Sequence, residues 1–389
     1  MTTAAPRLYL DHNATAPLRP QARAAMLEVL ELTGNPSSVH GDGRRARGLV
    51  EAAREALAAA CGVKARSVIF TSGATEANTL ALSQAWQGAD GPIYPERLLI
   101  SAVEHPSVRS GGRFSPRQIR TIEVDAGGRI RLDHLDQLLS EGGPALVSVM
   151  AANNETGVIQ PLAEIGARVA ASGALFHVDA VQAAGRLPVA PKDWRAHAIS
   201  LSAHKVGGPQ GMGALVLASS AVAPSALLVG GGQEHHRRAG TENVAAIAGF
   251  GAVAREIADC HAESAELLRL RNLFEQGLHH ICRSAVVFGD AALRLPNTSC
   301  FAVPGVPAEL ALIACDLKGA SVSSGSACSS GKVGVSHVLA AMGVDETLAR
   351  CAIRVSFGWT TTEADVARFL DLWGEVASRL NPAAVQHAA

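Results

Sequence analysis

The chain has 389 residues, enough for two or three domains of ordinary size. Hydrophobic residues make up 48% of it and charged residues only 18%, a balance that excludes an intrinsically disordered chain. The 34 basic and 35 acidic side chains leave a net charge of −1, so no overall field attracts nucleic acid or anionic lipid. We therefore expect a folded protein with no direct nucleic-acid or membrane partner.

The cysteine content and the apolar segments favour a cytoplasmic location. There are seven cysteines, an odd number, and they lack the paired spacing of a disulfide framework or a zinc site. Residues 1–10 lack the apolar core of a signal peptide. The uncharged run from Val206 to Gln233 is interrupted by glycines and prolines, which excludes a membrane-spanning helix of ~20 residues.

Short apolar strands alternate with helical segments along the first two thirds of the chain. Gly43–Ala60 and Leu162–Ala171 show the helical period, with Gly62 as the end of the first helix and Pro161 at the start of the second. The predicted strands are Ser67–Thr71, Leu98–Ser101, Arg120–Val124, Ala145–Met150, Ala174–Asp179, Ala198–Ser202 and Gly213–Leu217. This alternation predicts an α/β fold with a mostly parallel sheet covered on both faces.

The pattern changes near Asn243. A long helical stretch over Ala245–Cys282 precedes short strands near Val286–Phe288, Thr298–Val303 and Ile353–Phe357. We therefore expect a large domain at residues 14–255 and a small α+β domain formed by residues 1–13 and 256–389.

A glycine turn follows the first predicted strand, in the segment Thr71-Ser72-Gly73-Ala74-Thr75-Glu76-Ala77-Asn78. A turn that leads into a helix presents free N–H groups and the positive end of the helix dipole, which suits an anion. An ordinary strand–helix turn with Thr75 as its N-cap explains the same residues.

Lys205 is one of five lysines and stands at a strand end, after Ser202 and His204 and before a glycine-rich loop. Burial away from water favours the uncharged form of an amine, which can attack a carbonyl carbon. The alternative is a surface lysine in a turn.

Asp179 ends another apolar strand, where open α/β sheets bind their ligands. A carboxylate in such a position needs a cationic partner, which a protonated pyridine nitrogen can supply. Asp179 can instead cap the next helix.

Cys328 lies in a run of small residues, Ser323-Ser324-Gly325-Ser326-Ala327-Cys328-Ser329-Ser330-Gly331. These neighbours cannot form a core, so we expect the segment at about 321–334 to be mobile and its thiol to be functional. By contrast, Cys61, Cys282, Cys315 and Cys351 stand in apolar contexts that are typical of buried, inert cysteines.

Together these stretches resemble the cysteine desulfurases of the long-loop class, which includes the iron–sulfur-assembly and nitrogen-fixation enzymes. Further matching motifs are Tyr9-Leu10-Asp11, Asn35-Pro36-Ser37-Ser38-Val39-His40, Glu104-His105-Pro106, Asn153-Asn154-Glu155-Thr156-Gly157, Gly230-Gly231-Gly232-Gln233-Glu234 and Arg238-Ala239-Gly240-Thr241-Glu242-Asn243. The resemblance implies the aspartate-aminotransferase-like fold (fold type I) of pyridoxal-phosphate enzymes, with a seven-stranded sheet.

The resemblance also implies roles for individual residues. Lys205 would bind the cofactor covalently and move the substrate Cα proton, and His105 would stack on the ring and assist proton transfer. The other expected cofactor contacts are Asp179 at the pyridine nitrogen, Gln182 at the phenolic oxygen, Asn154, and Gly73, Ala74, Thr75, Ser202 and His204 around the phosphate. Thr241 would reach the phosphate of the neighbouring subunit in a homodimer.

The implied reaction converts L-cysteine to L-alanine and leaves the sulfur on Cys328 as a persulfide, with His105 as the candidate acceptor of the thiol proton. Arg354, Asn154 and Asn13 are the expected substrate contacts, since a guanidinium can bind a carboxylate through two bonds. The sulfur would pass to an acceptor protein, such as an iron–sulfur scaffold or a tRNA-thiolation enzyme. No resident metal is expected, although Cys328 could ligate a transferred iron–sulfur cluster.

Three features depart from the family pattern: His12, the pair His235-His236, and Trp359. We expect His12 to add an imidazole near the cofactor entrance. Rival activities on the same fold are a selenocysteine lyase, a cysteine-sulfinate lyase and an aminotransferase, and a non-catalytic cofactor-binding scaffold is a further alternative. Cys328 argues against an aminotransferase, which needs no thiol.

Overall fold

A computed structural model describes residues 7–325 and 334–385 of the chain. The strands are β1 (Leu8–Tyr9), β2 (Val68–Thr71), β3 (Trp86–Gly88), β4 (Gly91–Ile93), β5 (Arg97–Ser101), β6 (Ile119–Ile122), β7 (Ala145–Met150), β8 (Leu175–Asp179), β9 (Ala198–Ser202), β10 (Gly213–Leu217), β11 (Ala223–Pro224), β12 (Val286–Val287), β13 (Thr298–Ala302), β14 (Ala320–Ser321), β15 (Ser323–Ser324) and β16 (Ala352–Ser356). The helices are α1 (Pro20–Leu30), α2 (Gly41–Ala60), α3 (Ala74–Ala81), α4 (Pro106–Arg109), α5 (Leu132–Ser140), α6 (Leu162–Ser172), α7 (Val244–Ala252), α8 (Ala254–Ala258), α9 (His261–Ile281), α10 (Ala308–Leu317), α11 (His337–Ala341), α12 (Glu346–Ala349) and α13 (Glu363–Leu380).

The seven predicted strands form one sheet, in the order β2-β10-β9-β8-β7-β5-β6. All neighbours from β9 to β6 are parallel, whereas β10 runs antiparallel to both β2 and β9. The strands β2, β5, β7, β8, β9 and β10 are buried along nearly their whole length. The expected mostly parallel seven-stranded sheet is therefore confirmed.

The reversed strand β10 begins at the edge where its parallel neighbours end. Its first residue, Gly213, lies opposite Thr71 and Ser202, the last residues of β2 and β9. A Cβ on Gly213 would stand 2.8 Å from the Cα of Gly73, so only glycine lets the turn after β2 pack this closely. The antiparallel direction of β10 thus brings its own start and the ends of β2 and β9 together at one edge of the sheet.

A second apolar core lies outside this sheet. It joins Leu8 and Leu10 to one face of α9 and α13 and to the four-stranded sheet β12-β13-β16-β15. Phe274, Phe301 and Trp373 pack within it, with ring centroids 5.0 to 5.6 Å apart. The division into residues 14–255 and residues 1–13 plus 256–389 stays a prediction.

The helical stretch expected over Ala245–Cys282 is divided into three helices, α7, α8 and α9. Gly249 and Gly251 of α7 lie so close to α1 and α2 that a Cβ would come within 2.7 Å of Met26 and 2.6 Å of Ala53. Tight packing against two helices therefore fixes the short helix α7. None of the helices in the described ranges is both long and apolar enough to cross a bilayer.

Candidate active site

A cavity of about 440 Å³ opens where the parallel strands of the large sheet end. It is lined by Asn13, Gly73, Ala74, Thr75, His105, Asn154, Asp179, Gln182, Ser202, His204, Lys205 and Arg354, together with Ala14, Ser72, Glu76, Ser107, Met150, Ala152, Val181 and Gly211. The first group contains every predicted site residue except Thr241 and Cys328. Thr241 is exposed and does not line the cavity, and Cys328 lies outside the described residues.

The turn after β2 leads directly into helix α3. Gly73, not Thr75, occupies the N-cap position, and no side chain caps the helix. Both Ala74 and Thr75 line the cavity, so the amide end of the helix faces it.

Glu76 was not identified from the sequence and holds this turn in place. Its carboxylate accepts hydrogen bonds from the Ser72 backbone (2.9 Å) and from Nε of Arg238 (2.8 Å). Although burial raises the pKa of Glu76, these bonds to Arg238 and Ser72 lower it below the usual value. The Arg238 contact brings the segment before Thr241 beside α3.

Asp179 stands at the end of β8 and faces the cavity. One of its oxygens accepts from Asn78 Nδ2 at 2.8 Å and the other from the Val181 backbone at 3.1 Å. Turns, not a helix, follow Asp179, so the capping alternative is wrong.

Lys205 ends a short 3-10 helix, Ala203–Lys205, directly after β9. Its Nζ donates to the backbone oxygens of Asn13 (2.5 Å) and Ala14 (2.8 Å) at the cavity wall. Burial lowers the pKa of the neighbouring His204 to about 4, and the charge of Lys205 adds to this shift. His204 is therefore neutral at neutral pH.

The cavity wall around Arg354 is assembled from distant parts of the chain. Arg354 on β16 donates to the Asn154 backbone oxygen at 2.9 Å and to Asp11 at 2.7 Å. Its buried Nε has no hydrogen-bond partner within the described ranges. Asn13 also donates to the Asn154 backbone oxygen, at 3.2 Å, and Gln182 donates to the Asn13 backbone oxygen at 3.0 Å.

The carboxyl groups of Glu104 and Glu155 are buried next to the cavity. The sequence predicted no role for either group. Glu104 accepts from the Met150 backbone at 2.7 Å, and burial raises its pKa well above the usual range. Glu155 accepts a short hydrogen bond from Ser336, and burial raises its pKa to about 7. Both lie in motifs noted above, but only folding shows that their carboxyl groups are buried.

The expectation that His12 adds an imidazole near the cofactor entrance stays a prediction, since His12 lines a smaller adjacent cavity together with Lys205 and Trp359. His12 is buried outside the main cavity, and its ring fills the space that a side chain on Gly358 would occupy. Burial lowers its pKa to about 3. The neighbouring Trp359 donates to the Pro17 backbone oxygen at 3.1 Å and carries the Arg19 guanidinium over its ring.

His235 and His236 follow Glu234 in a tight segment in which all three residues have left-handed φ angles between 49° and 62°. A buried ion pair between Glu234 and Arg54 anchors this segment, with oxygen–nitrogen distances of 2.6 and 2.8 Å. These two histidines do not line the main cavity.

Comparisons with known proteins agree with this geometry. Residues 8–369 match the family "Aminotransferase class-V". The chain is 42% identical over 380 residues to a cysteine desulfurase of Cereibacter sphaeroides, covering 96% of both proteins. It is 38% identical to the cysteine desulfurase IscS of Dictyoglomus turgidum, over 96% of this chain and 95% of that protein.

Among solved structures, a NifS-like protein from Rickettsia africae superposes with a TM-score of 0.86 at 36% identity, over 96% of this chain and 99% of the other. The expected fold type I architecture is thereby confirmed.

Proposed function

We propose, on the premise that this chain belongs to the aminotransferase class-V family and is a cysteine desulfurase, that pyridoxal 5'-phosphate binds in the main cavity through Lys205. One observation carries the proposal: Lys205, Asp179, His105 and the amide end of α3 all line the same cavity. An amine, a carboxylate, an aromatic ring and an anion site are the four features that this cofactor needs.

The chemistry of the donor set fits the group. Asp179 is 6% exposed and, among the described residues, accepts only from Asn78 and a backbone N–H, which suits an acceptor for a protonated ring nitrogen. Ser202 and neutral His204 lie near the end of α3 in the cavity wall, where they can donate to phosphate oxygens. Gln182 is the proposed donor to the phenolic oxygen.

When bound, pyridoxal phosphate supplies an electron sink for the charge left by loss of the substrate Cα proton. The nitrogen of Lys205 holds the cofactor and then moves that proton. Arg354 binds the substrate carboxylate with the help of Asn154 and Asn13, and the place of all three residues in the cavity lining supports this role.

Cys328 is the proposed sulfur acceptor within the enzyme. The other six cysteines are buried, and burial raises the pKa of five of them, including Cys61 and Cys315 to about 12. Buried thiols of this kind are unreactive. The Cys328 thiolate attacks the substrate sulfur, a sulfur–sulfur bond forms, and the carbon–sulfur bond breaks with its electron pair left on carbon. A proton then completes the methyl group of alanine.

Two experiments test these assignments. Borohydride reduction of the pyridoxal-phosphate-loaded protein should attach the cofactor irreversibly to the Lys205 peptide. Lys205→Ala should lose this attachment and Lys192→Ala, at an exposed lysine, should keep it. Attachment at another lysine would refute the assignment.

The second experiment is mass analysis after treatment with L-cysteine. One extra sulfur should appear on the Cys328 peptide, together with alanine. Cys328→Ala should give neither product, whereas Cys351→Ala, at a buried cysteine, should give both. Turnover of selenocysteine or cysteine sulfinate but not of cysteine would favour the rival lyases, and cofactor binding without any turnover would favour a scaffold.

The proposed assembly is a cytoplasmic homodimer in which Thr241 contacts the partner's phosphate, and the sulfur passes to an iron–sulfur scaffold or a tRNA-thiolation enzyme. Thr241 is exposed and does not line the cavity of its own chain, which supports this assignment. Mixing inactive Lys205→Ala with Thr241→Ala should restore activity, because half of the sites in a mixed dimer are intact. No gain on mixing would exclude a shared site.

A further inference from the structure

His105 ends a chain of hydrogen bonds that begins on helix α3. The Asn78 side-chain nitrogen donates to Asp179 Oδ2 at 2.8 Å and to Ser107 Oγ at 2.9 Å. Ser107 Oγ lies 2.8 Å from Nδ1 of His105, and the Ser107 backbone N–H donates to the same nitrogen at 3.2 Å. The chain thus connects two walls of the cavity through buried Asn78.

The direction of each bond in this chain follows from the Asp179 carboxylate. An ionised carboxylate only accepts, so the Asn78 amide must turn its NH₂ group toward Asp179. The same NH₂ group reaches Ser107, whose hydroxyl oxygen therefore accepts. The hydroxyl hydrogen of Ser107 is then directed at Nδ1 of His105.

Two donors consequently meet at one ring nitrogen. A backbone N–H cannot reverse its role, so Nδ1 must offer its lone pair and cannot carry a proton. The proton of the neutral ring is then on Nε2. Within residues 7–325 and 334–385, Nε2 has no hydrogen bond to another protein group.

The surroundings also favour the uncharged ring. Burial lowers the pKa of His105, and Lys205 lowers it further, while Asp179 opposes both. His337 is the other titratable group that faces His105, and it is itself uncharged at neutral pH because burial lowers its pKa.

We propose that His105 is held as the neutral imidazole protonated on Nε2, and that it acts as a hydrogen-bond donor in the cavity and not as a proton acceptor. Ser107 and Asn78 are then positioning residues. This inference rests on the proposed function, and it replaces the expectation that His105 accepts the thiol proton, since its only basic nitrogen is already occupied by two donors.

Nitrogen-15 NMR of histidine-labelled protein tests the proposal directly, with and without pyridoxal phosphate. Loss of one signal set in His105→Gln identifies the residue. In the wild type, Nδ1 should resonate as an unprotonated nitrogen and Nε2 as a protonated one. A protonated Nδ1 at neutral pH would overturn the proposal.

Substitutions at Ser107 test the positioning role. Ser107→Ala removes one donor to Nδ1 and should raise the pKa of His105 by roughly 0.5 to 1 in an NMR titration. It should also lower kcat by about twofold to tenfold with little change in KM for cysteine. Ser107→Thr keeps the hydroxyl and should restore both values.

Ser110→Ala is the matched control, because Ser110 follows the same short helix α4 and its hydroxyl donates only to the Pro106 backbone oxygen. It should behave as the wild type. An unchanged pKa of His105 in Ser107→Ala would remove the positioning role. Absence of alanine formation by the wild type would refute the proposed function instead, and the NMR result is independent of that outcome.

Discussion

Two buried arginines, Arg54 and Arg354, both pair with a carboxylate, yet their surroundings differ. Arg54 makes a two-bond pair with Glu234, donates to the Val68 backbone oxygen at 2.8 Å and stacks over the Phe70 ring. Arg354 lines the cavity and pairs with Asp11 through one nitrogen, and its Nε has no partner among residues 7–325 and 334–385.

The difference separates a structural arginine from one that can bind a ligand. Every nitrogen of Arg54 has a protein acceptor, and four of its five N–H groups are used, so little of the side chain is left for a small molecule. Arg354 is equally buried but its donors are only partly used. Burial alone therefore does not distinguish the two roles, whereas the count of satisfied donors does.

The largest loss of stability should come from breaking the two-bond ion pair between Arg54 and Glu234. Arg54→Ala leaves Glu234 buried without a cation and should lower the free energy of unfolding by about 3–5 kcal/mol, measured by denaturant unfolding. Arg47→Ala removes an exposed arginine on the same helix and should cost about 0.5 kcal/mol or less. A loss below 1 kcal/mol in Arg54→Ala would end the distinction.

Glu155, a buried carboxyl group near Arg354, should make the free energy of unfolding depend on pH. Burial raises the pKa of Glu155 from 4.5 to about 7, although Ser336, Arg354 and Arg109 oppose this. Between these two values the folded state keeps a proton that the unfolded state has released. The free energy of unfolding must therefore fall as pH rises through this window, by up to about 3 kcal/mol, and level off above it.

Glu155→Gln should abolish this part of the pH dependence. The measurement is the difference in unfolding free energy between wild type and variant from pH 4.5 to pH 8. Glu164→Gln, at an exposed site, should leave the wild-type slope unchanged. Parallel curves for wild type and Glu155→Gln would contradict the prediction.

Arg354→Lys tests the ligand-binding side of the comparison. Lysine keeps the charge but loses the planar fork, so KM for cysteine should rise roughly tenfold to a hundredfold, with a smaller change in stability. Steady-state kinetics and unfolding curves together measure the two effects. An unchanged KM would show that Arg354 is as structural as Arg54.

The smallest loss of stability is expected for a substitution at Trp359, which contacts a third arginine, Arg19. Arg19 pairs with Glu263 at 2.5 Å and stacks on Trp359. Trp359→Phe keeps an aromatic ring but loses the bond to Pro17, so the unfolding free energy should fall by about 1 kcal/mol. A loss of several kcal/mol would mean that Arg19 depends on the indole as Arg54 depends on Glu234.

Much of the fold follows from local patterns. Three of the seven predicted strands, Ala145–Met150, Ala198–Ser202 and Gly213–Leu217, have the predicted limits, because apolar runs bounded by glycine or polar residues specify buried strands. The small sheet β11-β3-β4 was not predicted, since its strands have only two or three residues.

Site residues that belong to a local sequence motif could be predicted. Contacts between residues far apart in the sequence could not. Asp179 is the last residue of β8 and Lys205 follows the end of β9, so the topology of the sheet places both at the same sheet edge. The contact between Asn78 and Asp179 spans 101 residues of sequence, and no local pattern indicates it. His12 and Asn13 are adjacent in sequence, yet only Asn13 lines the main cavity, and no local pattern separates the two.

The antiparallel pairing of β10 with β9 affects how fast the nearby backbone amides exchange their hydrogens with solvent. Lys205 lies in a connection between two strands that are bonded to each other from Ser202–Gly213 to Ala198–Leu217, and the Ala203 amide donates to the Met212 oxygen at 3.0 Å. Breaking these hydrogen bonds would require separating β9 from β10, so both ends of the connection are held by the sheet. The amide hydrogens that pair β9 with β10 should therefore exchange with solvent only on the slow timescale of the sheet interior, which keeps both ends of the Lys205 connection in place.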